Sequence, residues 1–133
     1  MDINNLINFA IYFFSALAFL IIFKYVYAFI TPHDEWKLIK EEKNIAAAIG
    51  FGGAILGFAL AVSGTISNSV SFTDYLIWTG VALIAQTAAF YIVRLVFMPK
   101  IVTRIENNEI GAGVMLAAVN VAVGLLNAAC MSY

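Results

Sequence analysis

Three carboxamide side chains interrupt long apolar stretches of this chain: Gln86, Asn120 and Asn127. A carboxamide carries two hydrogen-bond donors and an acceptor oxygen. Within apolar helices, such groups either bond neighbouring helices, at about 0.6 to 2 kcal/mol per contact, or line a polar path for a solute. Both interpretations stay open on the sequence alone.

Two glutamates, Glu41 and Glu106, precede similar segments 65 residues apart. An acid just before a helix stabilises the positive N-terminal end of the helix dipole. The two glutamates occupy matching places in the two halves of the chain. A second interpretation is therefore that they bind a cation or a partner at the mouth of the protein on its cytoplasmic side, which is assigned below.

The residue types that catalysis needs are scarce. The chain has one cysteine and one histidine, so neither an internal disulfide nor a cysteine metal cluster can form. We find no nucleophile–base pair, phosphate loop, metal-ligand spacing or extended basic surface. We therefore expect no enzymatic activity, no catalytic residue, no metal or cofactor, and no nucleic-acid partner.

The composition indicates a membrane protein. Apolar residues make up 63% of the 133 residues, charged residues only 11%, and the mean hydropathy is +0.94. Soluble domains have about 25% charged residues, and a short soluble chain must cover most of its surface with polar groups. The expected partner of this surface is the lipid bilayer.

Four apolar runs are each near the roughly 20 residues that a helix needs to cross the hydrocarbon core. Exposed backbone amides find no partner in lipid, so the runs must be helices. We predict an all-α membrane protein in which one domain, residues 1–133, has four transmembrane helices. The predicted spans are residues 6–23 continuing to about Ile30, Ile45 to about Ser63, Tyr75 to Val93 with an extension to Met98, and Ile110 to about Met131.

All seven lysines and arginines fall in two connecting segments, 24–43 and 94–104, whereas the segment between the second and third spans has none. The positive-inside rule makes the basic side cytoplasmic. Both termini are then expected outside.

The basic segments also predict short interfacial helices in "HDEWKLIKEEKN" and "PKIVTRIENNE". Their lysines and arginines would meet anionic headgroups. Trp36 and Ile39 in the first, and Ile101 and Ile105 in the second, would face lipid.

The chain repeats one plan. "KNIAAAIGFGGAILG" at residues 43–57 and "NEIGAGVMLAAVNVA" at residues 108–122 share a polar start, an isoleucine and a run of small residues. Each half reads span, basic segment, span, and an even number of spans per copy gives parallel repeats related by an axis along the membrane normal. We predict two tandem two-helix repeats, about 1–70 and 71–133.

Small residues recur every three or four positions on two spans, which places them on one helix face. Small faces let membrane helices approach closely, and we expect them to pack helices and to build a homo-oligomer. The predicted face of the second span is Ala46, Gly50, Gly53, Gly57, Ala61 and Gly64, and that of the fourth is Gly113, Ala117, Asn120, Gly124 and Asn127.

Two long stretches resemble the YjfL-type small bacterial inner-membrane proteins, a domain-of-unknown-function family: "TPHDEWKLIKEEKNIAAAIGFGGAILGFALA" and "RIENNEIGAGVMLAAVNVAVGLLNAACMSY". The most specific parts are "NIAAAI" and "GLLNAACMSY". The resemblance implies a bacterial cytoplasmic membrane and a duplicated two-span unit, but no activity. It also hints at a role beside envelope-stress or polyamine-related genes. The family pattern has a glycine where this chain has Lys43, so we expect no requirement for a tight glycine turn there.

Two functions fit these features. The first is a homo-oligomeric assembly or scaffold component that offers its cytoplasmic segments to a peripheral protein partner. The second is an oligomeric passive channel for ions or small solutes, lined by the carboxamides. The mid-depths of the spans carry no ionisable residue, which disfavours active coupling but not a passive pore.

Overall fold

The computed structural model describes residues 3–31 and 35–131, with the backbone alone for residues 35 and 36. Every regular element in these ranges is a helix, and four helices are long and apolar enough to cross a membrane. The all-α prediction with four membrane-spanning helices is confirmed. The long helices are α1 Ile3–Ile30, α3 Ile45–Asn68, α4 Phe72–Ile92 and α6 Ile110–Cys130, and the short ones are α2 Glu35–Lys40 and α5 Ile101–Glu106.

Three helix ends differ from the sequence prediction: α1 begins at Ile3 instead of residue 6, α4 begins at Phe72 instead of Tyr75, and α3 ends later. Helix α3 continues five residues past Ser63, and the polar side chains beyond that point find acceptors on the backbone of their own helix. Thr65 Oγ1 donates to Val62 O at 2.7 Å, and Asn68 Nδ2 donates to Gly64 O at 2.9 Å. Helix α4 passes into a π-helical turn, Val93–Phe97, so the continuous span is Phe72–Phe97.

Helix α3 is the centre of the bundle. Its contact with α6 is the most extensive in the molecule, and α4 packs against both. Helix α1 lies at the periphery, where only Phe23 and Tyr27 are fully buried. The Phe23 ring stacks on Phe58 of α3 with centroids 4.8 Å apart, and Tyr27 packs against Phe51 and Phe90.

The two basic segments meet at one end of the bundle, here called the loop end. Asn44 caps α3, its side chain accepting from Ala47 N at 2.8 Å while its Nδ2 donates to Ile105 O at 2.7 Å. In return, Asn108 Oδ1 accepts from Ala46 N at 3.0 Å. These bonds hold the start of α3 against α5 and the turn that follows it.

The short helices exist, but the prediction that Ile101 and Ile105 face lipid is wrong. Both side chains are fully buried, because α5 packs on α3 and α6 rather than on the surrounding membrane. Ile39 of α2 is likewise partly buried against the core. The Trp36 side chain lies outside the described residues.

Two residues adopt left-handed backbone conformations, and they are 65 positions apart. Lys43 has φ 51° and Asn108 has φ 58°, and each directly precedes the N-cap of a long helix. Asparagine tolerates this conformation, whereas for most other L-residues it costs roughly 1–2 kcal/mol. From the sequence we expected no need for a glycine at residue 43. The backbone there nevertheless has the left-handed conformation that glycine adopts most easily, so Lys43 is strained.

Lys43→Gly is expected to stabilise the fold by about 0.5–1 kcal/mol, since it relieves left-handed strain at the cost of a more flexible unfolded chain. The measurement is the free energy of unfolding in detergent micelles. Ala48→Gly, at an exposed position inside α3, is the control and should lose about 1 kcal/mol. If Lys43→Gly and Ala48→Gly lowered the free energy of unfolding by the same amount, residue 43 would carry no such strain.

Candidate functional site

The small-residue face of α3 packs on α6 at backbone distance. A Cβ added at Gly53 would overlap Ala117, and one at Gly57 would overlap the carbonyl oxygen of Asn120. On the opposing helix, a Cβ at Gly124 would overlap the backbone of Gly57. Only glycine allows the two main chains to lie this close.

The same contact runs along most of α3. At one end Gly113 lies against the backbone of Ala46, and at the other a Cβ at Gly64 would lie 2.7 Å from Ala128 Cα. Between them, Gly50 faces the Leu116 side chain. Ala46 and Ala61 are fully buried. The face predicted for α3 thus packs on α6 of the same chain. The homo-oligomer stays a prediction, and its copies would have to meet through a different surface.

The three predicted carboxamides all donate to backbone carbonyls. Gln86 Nε2 of α4 donates to Asn120 O of α6 at 2.7 Å, and Asn127 Nδ2 of α6 donates to Ala82 O of α4 at 3.2 Å. Asn120 Nδ2 instead donates at 2.9 Å to Leu116 O in its own helix. Gln86 and Asn127 therefore join α4 to α6, while Asn120 provides a carbonyl acceptor at the junction.

Hydroxyl groups extend these polar contacts along the buried face of α4. The Ser15 hydroxyl of α1 lies 3.1 Å from the Tyr75 hydroxyl, at hydrogen-bond distance. One turn further along α4, the Thr79 hydroxyl lies 2.9 Å from the Thr65 hydroxyl of α3. We call Ser15, Thr65, Tyr75, Thr79, Gln86 and Asn120 the polar ladder; it leads from the end of the bundle opposite the loop end to the middle of the helices.

The four hydroxyl residues of the polar ladder were missed by the sequence analysis, although α4 carries a signal for them. Tyr75, Thr79 and Gln86 are spaced four and seven residues apart, which places them on one helix face. A polar stripe on a membrane-spanning helix is expected to face inward, because lipid offers it no hydrogen-bond partner. The loop-end asparagines, Asn44 and Asn108, were likewise not singled out.

Glu41 and Glu106 are both exposed and lie at the loop end. Asn44 Nδ2 makes a 3.4 Å contact with the backbone carbonyl of Glu106. Nearby, Arg104 Nε and Glu109 Oε1 form an exposed ion pair at 3.2 Å, a type of pair that contributes at most about 1 kcal/mol. A cation-binding or partner-binding role for Glu41 and Glu106 stays a prediction.

The described part of the chain has no group of three or more histidine, cysteine, aspartate and glutamate side chains that could hold a metal ion. What the structure does assemble is a packed polar junction near the middle of α3, α4 and α6. The fold and this junction define a polytopic helical membrane protein.

Comparison with known proteins supplies the family. The model of the family described as Domain of Unknown Function (DUF350) matches residues 1–131, and the chain belongs to this family. It is 41% identical over 131 residues, 98% of each chain, to the UPF0719 inner membrane protein YjfL of Escherichia coli (strain K12). It is 27% identical over 127 residues, 95% of this chain and 94% of the relative, to the UPF0719 transmembrane protein YshE of Bacillus subtilis (strain 168). The resemblance found in the sequence is confirmed. No solved structure matches the chain.

Gly57→Ala is expected to destabilise the fold by about 2 to 3 kcal/mol, because the new methyl group must push apart two main chains. Gly52→Ala is the matched control, since no atom lies within 4 Å of a Cβ at that position on the same helix. The measurement is again the free energy of unfolding in detergent micelles. Similar values for the two variants would contradict the close contact of α3 and α6.

Proposed function

We propose that this protein is a homo-oligomeric assembly component of the bacterial cytoplasmic membrane, and that its copies meet through the outer face of α6. The observation that carries the proposal is a second line of small residues, at the centre of the α6 face that points away from α3. Its members are exposed and fall on one helix face: Gly111, Ala118, Ala122 and Ala129.

Larger side chains flank this line. Val114 is 51% exposed and Leu125 is 54% exposed. Both line an open groove of about 550 Å³ together with Ala118 and Ala122, and Ile49 of α3 forms the opposite edge of this groove. In lipid, helices associate by close packing rather than by the hydrophobic effect, and small residues allow that packing. A second copy fits best, because one self-complementary face on each chain closes a two-fold dimer.

The proposal includes the orientation of the chain, with both termini outside. It is supported by the meeting of the two basic segments at the loop end, since all seven lysines and arginines belong to these segments. The positive-inside rule assigns that end to the cytoplasm. The exposed Glu41 and Glu106 then lie where a peripheral cytoplasmic protein could bind.

The proposal also includes a tandem duplication of a two-helix unit. A long, a short and a long helix follow one another twice along the chain. The left-handed residues Lys43 and Asn108 recur at the 65-residue spacing of the sequence repeat. Both observations support parallel repeats of about 1–70 and 71–133.

Ala118→Leu combined with Ala122→Leu is expected to abolish the oligomer, because the leucines fill the groove into which the second copy would pack. The measurement is energy transfer between labelled copies in liposomes. Ala18→Leu with Ala88→Leu is the matched control, since it adds the same bulk at exposed positions on α1 and α4. Energy transfer that survives the α6 substitutions, or that is absent from the wild type, would contradict the proposal.

A passive conduit is the second candidate function, and the polar ladder favours it. The ladder offers hydroxyl and carboxamide groups from one end of the bundle to its middle. On the loop-end side of the ladder, however, the aromatic rings of Phe23, Tyr27 and Phe90 are fully buried. The ladder therefore favours a narrow route for small ions or solutes in an assembly of several chains, rather than a wide pore through a single chain.

Thr79→Val is expected to lower ion flux into liposomes if the ladder conducts, because it removes one hydroxyl without changing the side-chain shape. Thr87→Val is the matched control, since Thr87 bonds to Ile84 O of its own helix and lies outside the ladder. Flux is measured for each variant and for empty liposomes. A wild type that matches empty liposomes would rule out the conduit.

A further inference from the structure

Two side-chain oxygens are buried at the junction of α3, α4 and α6. No donor of the described residues lies within hydrogen-bond distance of Gln86 Oε1 or Asn120 Oδ1, and both side chains are 0% exposed. A buried acceptor without a donor costs about 1–3 kcal/mol. A bundle that keeps two such oxygens at one junction gains stability from any ligand that supplies donors.

Neither oxygen can find a donor by turning its own carboxamide over. Gln86 Nε2 donates to Asn120 O at 2.7 Å, and Asn120 Nδ2 donates to Leu116 O at 2.9 Å. A half-turn of either carboxamide would bring its oxygen against a carbonyl oxygen, where two acceptors repel. The backbone contacts thus fix the direction of both oxygens.

The junction limits the ligand to a very small one. A Cβ at Gly57 would already overlap the Asn120 carbonyl and would lie 2.7 Å from Gln86 Nε2. The α3–α6 contact therefore closes the junction on the α3 side, so a ligand must lie beside the carboxamide oxygens without parting these two helices. A water, which is about the size of one methyl group, meets this condition far more easily than a solute with a carbon skeleton.

The lack of charged side chains in the surrounding helices argues against a bound cation. Helices α3 and α6 contain no charged residue, and the only one in Phe72–Ile92 is Asp74, three turns from Gln86. An ion buried without a countercharge is far more costly than a neutral molecule. Water is neutral, is small enough, and donates two hydrogens.

We infer that internal water binds at this junction and donates to Gln86 Oε1 and Asn120 Oδ1. Buried water that satisfies otherwise unpaired polar groups is a structural part of proteins. The site lies within one chain, near the middle of its helices, and it does not depend on the proposed oligomer. It makes the centre of this apolar bundle a hydrated one.

Solid-state NMR of isotope-labelled protein in liposomes tests the inference by following magnetisation transfer from water. The side-chain amide protons of Gln86 and Asn120 should receive it at least about fivefold faster than the backbone amides of Ala54 and Ala89. Both alanines are fully buried in helices. Equal rates at the side chains and at these backbone amides would overturn the water site.

Gln86→Met keeps the length of the side chain and removes both its acceptor oxygen and the Nε2 donor that bonds to Asn120 O. Transfer to the Asn120 side chain should fall at least about twofold in this variant, since the water loses one of its two acceptors, and should not change in Thr87→Val. If magnetisation transfer to the Asn120 side chain were unchanged in Gln86→Met, Gln86 would not be part of the water site. The wild-type measurement decides for or against the water if Gln86→Met does not fold.

Discussion

The backbone contact between α3 and α6 is the constraint on which the rest of the bundle depends. In lipid there is no hydrophobic drive to bring two apolar helices together, so association relies on close packing and on polar contacts. Gly57 and Gly124 supply the packing by letting the main chains touch. The touching chains in turn place the Asn120 carbonyl where Gln86 of α4 reaches it. Helix α4 is thereby tied to a pair that is already formed.

The treatment of polar groups follows from the same solvent. A hydroxyl or carboxamide that faces hydrocarbon has no partner, and each such group costs several kcal/mol. The chain therefore turns Tyr75, Thr79 and Gln86 inward on one face of α4, where other helices and their carbonyls receive them. The outward faces are apolar, with Ile84 at 72% and Leu126 at 65% exposure.

The sequence was sufficient for the spans, the all-α fold and the small-residue face of α3, because hydropathy and periodicity report directly on membrane crossing and on helix faces. It was not sufficient for the partner of that face, since spacing identifies a face but not what covers it. Ile101 and Ile105 show the same limit: their spacing suggested an apolar face, and only the position of α5 under the bundle turns that face inward. The left-handed backbone at Lys43 could not be predicted, because lysine is a poor indicator of it.

The loose attachment of α1 has a consequence for synthesis. This helix leaves the ribosome before the other three long helices and must reside in the bilayer before α3 and α4 exist. It is suited to that interval, because its only complete burial is at Phe23 and Tyr27 and its Ser15 hydroxyl also bonds to Tyr12 O in the same helix. The earliest of these four helices is thus the one that least needs its neighbours, and the later three can assemble beside it.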